Sequence, residues 1–350
     1  MVTETMFREK DKYVFDSIVE IYLKDGKPVS SSQISQKSKL SISSATVRNI
    51  MAKLEKMSFL QQPHTSAGRI PTDEGLRFYV NSMFDKDMLP DRSIELLTKE
   101  FALEEREGDF NSLFSLVSKT LSEYTDSLGF VLSPSISKVN FRHLRFIKIS
   151  EEKVMIILVT TSKLVLTEVV KVKDYFTQLE LDNSARYINE NFRGKSLINA
   201  QDYLLKEVPK FKMRFEDIIQ KLLSLLQSYM SQEMMEGKIF FEGSSKLLMN
   251  PDIFDKNNLH SLFKSFEEKT KLTKLLSDII SLDKVKVLIG SELNIPNISD
   301  CSIVLSHYGY DRQVLGSLGV LGPKRIPYKK IIPLVESVAK KLSKAISSDH

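Results

Sequence analysis

Three groups of residues in this sequence have the types and spacing to do chemistry. Cys301 and His307 could pair as a nucleophile and its base. Gly316, Gly319 and Gly322, in VLGSLGVLGPK, could cradle a phosphate, and His64, in the polar stretch QQPHTSAGRIPTDEG (residues 61–75), could be a general base. Each chemistry makes a geometric demand. A nucleophile and its base must come within hydrogen-bond reach. Cys301 and His307 lie six residues apart in a strand-like run, on the same face but about 20 Å from one another, so a core cysteine is expected. The glycine spacing fits neither a phosphate loop nor a strand running straight into a capped helix, and a turn or bulge between strands is expected. His143 and His260 have no acidic neighbour at ligand spacing and read as structural. No catalytic constellation remains. The sequence therefore reads as a protein that is not an enzyme and holds no metal and no cofactor.

Composition agrees. The 350 residues are 42% hydrophobic and 27% charged, which suits two or three folded domains rather than a disordered chain. One cysteine excludes a disulfide framework and a cysteine-cluster zinc site, and five scattered histidines exclude a His-rich metal box. The opening MVTETMFREKDKYVF lacks the apolar core of a signal peptide. No apolar run reaches the ~18 residues that a membrane span requires, so a cytoplasmic protein with no membrane partner is expected.

The elements that would position His64 lie in residues 1–84. Phe7 to Leu23 carries a helical stripe through Tyr13, Val14, Ile18, Ile21 and Tyr22 that stops at Asp25-Gly26. Pro28-Val29-Ser30-Ser31 opens a short helix through Gln36. Ser43 or Ser44 caps a third helix in SSATVRNIMAKLEKM (43–57). At about 100° per residue, Val47, Ile50, Leu54 and Met57 fall on one side of it. Ala45, Arg48, Asn49, Ala52 and Lys56 fall on the other, with Thr46 and Lys53 at the flank. That outer face suits DNA: alanines permit close approach, arginine can bridge a guanine edge or a phosphate, and asparagine can pair with adenine. A solvated face that binds nothing is the alternative.

Charge favours the first reading. The net charge of the whole chain is +5, yet the stretch from Lys24 to Thr72 holds eight bases against Asp25 and Glu55, a local net of +6. Three helices with a basic third one make a helix-turn-helix. The polar stretch then takes the place of a wing: Phe59-Leu60-Gln61-Gln62 as first strand, Thr65-Ser66-Ala67-Gly68 as tip, and Arg69-Ile70 as return. A surface hairpin that only covers the core would have the same outline. Thr72-Asp73-Glu74 starts a fourth helix, its acids well placed at the N-terminus. The candidate DNA contacts are Ser44, Ala45, Thr46, Arg48, Asn49, Lys53 and Lys56 on the helix, and His64, Thr65, Ser66 and Arg69 on the wing. Arg48 and Asn49 are the expected base readers.

Residues 85–109 change character, with nine acids against four bases and breaks at Pro90 and Gly108. They read as a linker containing a solvated helix. Beyond them a helical face (Phe110 to Tyr124) precedes strand-like runs FVLS, HLRFIKIS, KVMIILVTT and KLVLTEVVKV, the last three separated by turns short enough for an antiparallel sheet. Tyr175 to Asn191 looks helical. Residues 200–282 are helix-rich, with a Met-rich stretch at 213–236 that could pack on its own domain or face a second copy. Strand signals resume at VKVLIGSEL, and the chain closes on a helix containing Pro333. The strands on both sides of 200–282 look like parts of one sheet, interrupted by an insertion.

Three blocks carry a resemblance to a known family: KPVSSSQIS, SSATVRNIMAKLEKM and QPHTSAGRIPTDEGLRFYV are similar to the heat-inducible transcription repressor HrcA family. FFEGSSKLL, VKVLIGSEL, DCSIVLSHY and GSLGVLGPKRIPY resemble its later blocks, so the likeness covers nearly the whole chain. It implies an α+β fold with a winged helix-turn-helix domain (1–84), a GAF-like domain in two parts (110–199 and 283–350) and an inserted dimerisation domain (200–282). It further implies a homodimer, double-stranded DNA bearing an inverted repeat called CIRCE upstream of chaperone operons, and the GroE chaperonin as modulator. A GAF-like domain also leaves open a small-molecule sensor, and a winged helix leaves open a protein–protein module. Some positions depart from the family pattern. Ser30-Ser31-Ser32 stands where Gly-Ser-Arg is usual, Ser58 where glycine is common, and Leu76 where tyrosine is common.

Overall fold

Turn chemistry divides the N-terminal unit into its elements. In a computed structural model the described residues are 8–37, 42–64, 67–84, 110–135, 139–161, 165–207, 221, 223–229, 237–248, 285–293, 299–310 and 313–347. Helix α1 (Glu9–Asp25) ends where Gly26 turns left-handed at φ 69° and donates its N–H to the Tyr22 carbonyl. Helix α2 (Ser31–Lys37) starts with a reciprocal cap: Ser30 N–H donates to Gln33 Oε1 at 2.8 Å, and Gln33 N–H donates to Ser30 Oγ at 3.3 Å. Helix α3 (Ser44–Lys56) starts at Ser43, whose Oγ accepts from Thr46 N–H at 3.1 Å. Strands β1 (Leu60–Gln61) and β2 (Ile70–Pro71) pair antiparallel. Helix α4 (Asp73–Phe84) follows.

The core of this unit is the inner side of these helices. Val14, Phe15, Ile18 and Val19 of α1 are buried against Val47, Ile50, Met51 and Leu54 of α3 and Leu76, Tyr79 and Val80 of α4. Each such side chain contributes about 1.5–3 kcal/mol through burial. The rings of Phe15, Phe59 and Phe78 lie with centroids 5.0–6.0 Å apart, joining α1, the α3–β1 turn and α4. The α3 stripe differs from expectation in one place. Helix α3 ends at Lys56, so Met57 caps it half-buried while Met51 fills the core.

Two antiparallel sheets follow. Helix α5 (Phe110–Thr125) leads to β3 (Leu128–Leu132). Strands β4 (Phe141–Ser150), β5 (Lys153–Thr160) and β6 (Val165–Lys171) form a three-stranded sheet in that order, carrying α6 (Gln178–Phe192) on one face and followed by α7 (Leu197–Glu207). Strand β7 (Ile239–Glu242) and the short helix α8 (Ser244–Leu248) come next. Strand β8 (Lys286–Ile289), a 3-10 turn (Gly290–Leu293), β9 (Cys301–Tyr310), β10 (Gln313–Pro323) and α9 (Tyr328–Ser347) close the chain. The larger sheet runs β7-β3-β10-β9-β8, with α5 and α9 packed on it.

This partition keeps the expected pairing of strands from both sides of residues 200–282, since β3 joins β10 in one sheet, and differs from the expected one elsewhere. Among the described residues, the strands at 141–171 do not join those at 286–323 and pair only among themselves. Conversely β7, from the segment read as an insertion over 200–282, pairs with β3 in the larger sheet. The excursion from the larger sheet therefore begins after Leu132 and returns at Ile239. The proposed linker at 85–109 and His260 lie outside the described residues, as does most of the Met-rich stretch.

The glycine and cysteine expectations are also sharpened. Gly316 sits at a register shift in β10, as a bulge would require, but Gly319 and Gly322 are within the ladder rather than in a turn between strands. A β-carbon on Gly319 would lie 2.2 Å from the Val304 carbonyl oxygen, so glycine there serves strand contact. Cys301 is buried, and burial pushes its thiol up to about 12, with Asp300 adding to the shift and Lys324 opposing it. His307 is buried too, its Nδ1 2.8 Å from Ser317 Oγ. His143, read as structural, is exposed on β4.

The N-terminal unit rests on the larger sheet through a charged seam. Asp73 Oδ1 accepts from Lys324 Nζ at 2.7 Å, and Arg77 pairs with Glu292 while donating from Nη2 to the Val287 carbonyl at 2.6 Å. Lys329 pairs with Glu20. The seam engages α1 and α4 and leaves the outer side of α3 exposed.

Two backbone features of the α3–β1 turn predict mutations of opposite sign. Ser58 holds φ at 61°, a left-handed conformation costing a residue with a β-carbon about 1–2 kcal/mol. A β-carbon on Gly75 would lie 2.1 Å from the Phe59 carbonyl oxygen. Ser58→Gly is expected to raise stability by about 1 kcal/mol, and Gly75→Ala to lower it by about 1–3 kcal/mol. Thermal unfolding of both against the parent chain checks this; shifts of the same sign would contradict the turn geometry.

Candidate nucleic-acid interface

Burial of Val47, Ile50, Met51 and Leu54 dictates what α3 presents outward. Ala45, Thr46, Arg48, Asn49, Ala52, Lys53 and Lys56 are all exposed. The structure thus brings together on one helix most of the candidate residues. Among the described residues, no ion pair or hydrogen bond engages the side chains of Arg48, Asn49 and Lys56. Two flexible cations and an amide on a helix with small neighbours form a face able to approach a duplex closely.

Other candidates are occupied. Ser44 is half-buried and its Oγ lies 2.9 Å from Ser31 Oγ, a link between α2 and α3. Lys53 Nζ donates to Asp11 Oδ2 at 2.7 Å, tying α3 to α1; the lysine side chain is 47% exposed and the aspartate only 9%. Arg69 donates from Nε to Glu55 Oε2 at 3.0 Å, and its Nη2 lies 2.9 Å from the same oxygen in an ion pair. Thr46 Oγ1 lies 2.9 Å from Ser43 Oγ at the cap. These bonds give Ser44, Lys53 and Arg69 structural duties that charge counting did not reveal.

The hairpin beside α3 is built from the polar stretch. Its return is fixed to the loop before α2, where Arg69 N–H donates to the Val29 carbonyl and Val29 N–H donates to the Arg69 carbonyl, each at 2.9 Å. Gly68 lies so close that a β-carbon would come within 2.3 Å of the Val29 carbonyl oxygen. Across the hairpin, Gln62 Nε2 donates to the Ala67 carbonyl at 3.1 Å, and Ala67 N–H donates to the His64 carbonyl at 2.8 Å. His64 is exposed. Thr65 and Ser66 lie outside the described residues. At the foot of the hairpin, Thr72 Oγ1 donates to the Ser58 carbonyl at 2.6 Å and accepts from Gly75 N–H at 3.0 Å.

A family model described as the HrcA protein C-terminal domain matches residues 111–332. Heat-inducible transcription repressor HrcA of Syntrophobacter fumaroxidans is 33% identical over 97% of this chain and 97% of its own length. Its namesake from Thermodesulfovibrio yellowstonii is 34% identical over 98% of this chain and 99% of its own. The chain belongs to the HrcA family. The HrcA model begins beyond the N-terminal unit, but the full-length HrcA relatives include it. A crystal structure of a hypothetical protein shares the fold, with a TM-score of 0.67 at 22% identity over 98% of this chain and 99% of that one. Among the described residues, no helix is long and apolar enough to cross a membrane, and no group of three or more His, Cys, Asp or Glu could hold a metal ion.

The division between uncommitted and occupied cations has a measurable consequence. Arg48→Ala is expected to relax discrimination at one base pair by about 1–3 kcal/mol, whereas Lys56→Ala weakens all duplexes alike and reduces the salt slope by about one. Anisotropy titrations with matched and scrambled duplexes across a salt series check both. Equal losses for Arg48→Ala on the two duplexes would remove it as a base reader.

Proposed function

We propose that this protein is a transcription repressor that binds an inverted-repeat operator of the CIRCE type as a dimer, holding chaperone operons silent until heat shock. In this reading the N-terminal unit is a winged helix, with α3 the recognition helix and the β1–β2 hairpin its wing. The larger sheet with α5 and α9 is the GAF-like part, and the three-stranded sheet with α6 and α7 is the inserted dimerising part. The protein acts in the cytoplasm, has no enzymatic role, and is modulated by the GroE chaperonin.

One observation carries the reading: the exposed row Ala45, Arg48, Asn49, Ala52 and Lys56 lies uncommitted on a capped helix beside a hairpin, in a chain whose relatives are called heat-inducible transcription repressors. Recognition helices enter the major groove by such a face, while hairpin and phosphate contacts set register. One winged helix reads half of an inverted repeat, so two copies related by a two-fold axis are required. An apolar surface is available for a second copy. On the side of the three-stranded sheet away from α6, Ile147, Met155 and Val169 stand in register, with Val169 46% exposed.

A gel shift with a CIRCE-type inverted-repeat duplex against its scrambled counterpart, at stated salt, tests the function. Preferential retardation of the inverted repeat is expected, and indifference would overturn the reading. Light scattering at micromolar protein is expected to give a dimer mass, with Val169→Glu shifting it toward monomer. A monomeric parent chain would remove the two-fold arrangement.

A further inference from the structure

Helix α3 carries one acid, Glu55, on the same stripe as Ala45, Arg48 and Ala52. Two effects oppose a carboxylate there. The C-terminal end of a helix carries the negative pole of its dipole, and a nearby phosphate backbone repels negative charge. Arg69 offsets both. Its guanidinium donates from Nε to Glu55 Oε2 at 3.0 Å and holds Nη2 2.9 Å from the same oxygen as an ion pair, with the two side chains 21% and 35% exposed. A single carboxylate oxygen thus receives one charge-assisted hydrogen bond and a second close cationic contact from the neighbouring element.

Arg69 cannot turn to a phosphate without losing this hydrogen bond and ion pair, and its backbone is fixed as well. It exchanges two hydrogen bonds of 2.9 Å with Val29, and the adjacent Gly68 is pressed against that residue's carbonyl. The chain of contacts therefore runs from the loop before α2, through the return strand of the hairpin, to the recognition face of α3.

We propose that Glu55 is a positioning residue of the DNA interface: through Arg69 it holds the wing at a fixed angle to α3, so that helix and wing meet one duplex together. Arg69 is then a strut rather than a phosphate clamp. The inference rests on the DNA-binding reading above. Glu55 contacts neither base nor phosphate in this arrangement; it acts by removing freedom that the wing would otherwise lose on binding.

Charge accounting alone makes the opposite prediction, which makes the proposal testable by sign. Removing an acid beside DNA adds net positive charge and should tighten binding to every duplex while steepening its salt dependence. A strut predicts weaker operator binding when the acid is removed. Alanine is the replacement of choice because it preserves helix propensity.

The experiment uses the full chain and anisotropy titrations with a CIRCE-type inverted-repeat duplex and a scrambled duplex. The proteins compared are the parent, Glu55→Ala, Arg69→Ala, the double variant, and the exchanged pair Glu55→Arg/Arg69→Glu. Glu55→Ala is expected to weaken the inverted-repeat complex about tenfold, while its binding to scrambled duplex stays the same or tightens. The double variant should be no worse than the worse single, because both break one strut, and the exchanged pair should recover part of the loss. Glu55→Ala binding the inverted repeat as well as the parent or better would overturn the proposal. Should Glu55→Ala unfold, by circular dichroism, the exchanged pair decides: a folded exchange that binds no better than Arg69→Ala overturns it. Failure of the DNA-binding reading shows differently, as a parent chain that treats the two duplexes alike, and the proposal falls with it.

Discussion

Everything proposed for this protein depends on how α3 is buried. Val47 and Leu54 are fully excluded from solvent, Ile50 and Met51 nearly so, and they meet Val14, Phe15 and Ile18 of α1. With a helical period fixed by its backbone, seating one side determines the other. Rotating α3 by one residue would bring Arg48 toward the core, where an unpaired guanidinium is costly. The exposed row of small, polar and basic residues is thus a consequence of core packing as much as of the residues themselves.

Around that seat the chain uses close backbone approach and short polar bonds. Gly75 brings α4 against the α3–β1 turn, Gly68 brings the hairpin against Val29, and Thr72 ties the turn to the first turn of α4. The charged seam from Asp73 and Arg77 to Lys324 and Glu292 then sets the N-terminal unit on the larger sheet. Such partly exposed pairs contribute little to net stability; their value lies in fixing direction. Because α1 and α4 carry the seam, the face of α3 stays open while the unit is docked.

Local structure was legible in the sequence where periodicity and caps agree. The stripe Val47, Ile50 and Leu54 and the serine caps gave α3 nearly its full span, and the polar stretch 61–75 gave the hairpin. Met57 was misplaced because the helix stops one residue earlier and Ser58 turns left-handed, a choice that the apolar pattern does not encode. Sheet membership was less readable. Short turns announced β4, β5 and β6 as neighbours, but β3 is buried throughout and pairs with β10 and β7, far away in sequence. Alternation tells which face of a strand is buried, not which strand lies beside it. The charges of Lys53 and Arg69 were counted correctly, yet their occupation was hidden. The partner of Lys53 is Asp11, on another helix, and Glu55 meets Arg69 only once the hairpin folds back.

The central claim is that the open side of α3 lies on DNA. Site-directed photocrosslinking addresses it directly, with a photoreactive side chain at Ala52, in the middle of the exposed row, and a control at Leu179 on α6. Irradiation with a CIRCE-type inverted-repeat duplex should crosslink DNA from position 52 and not from position 179. Crosslinking from 179 with none from 52 would contradict the account.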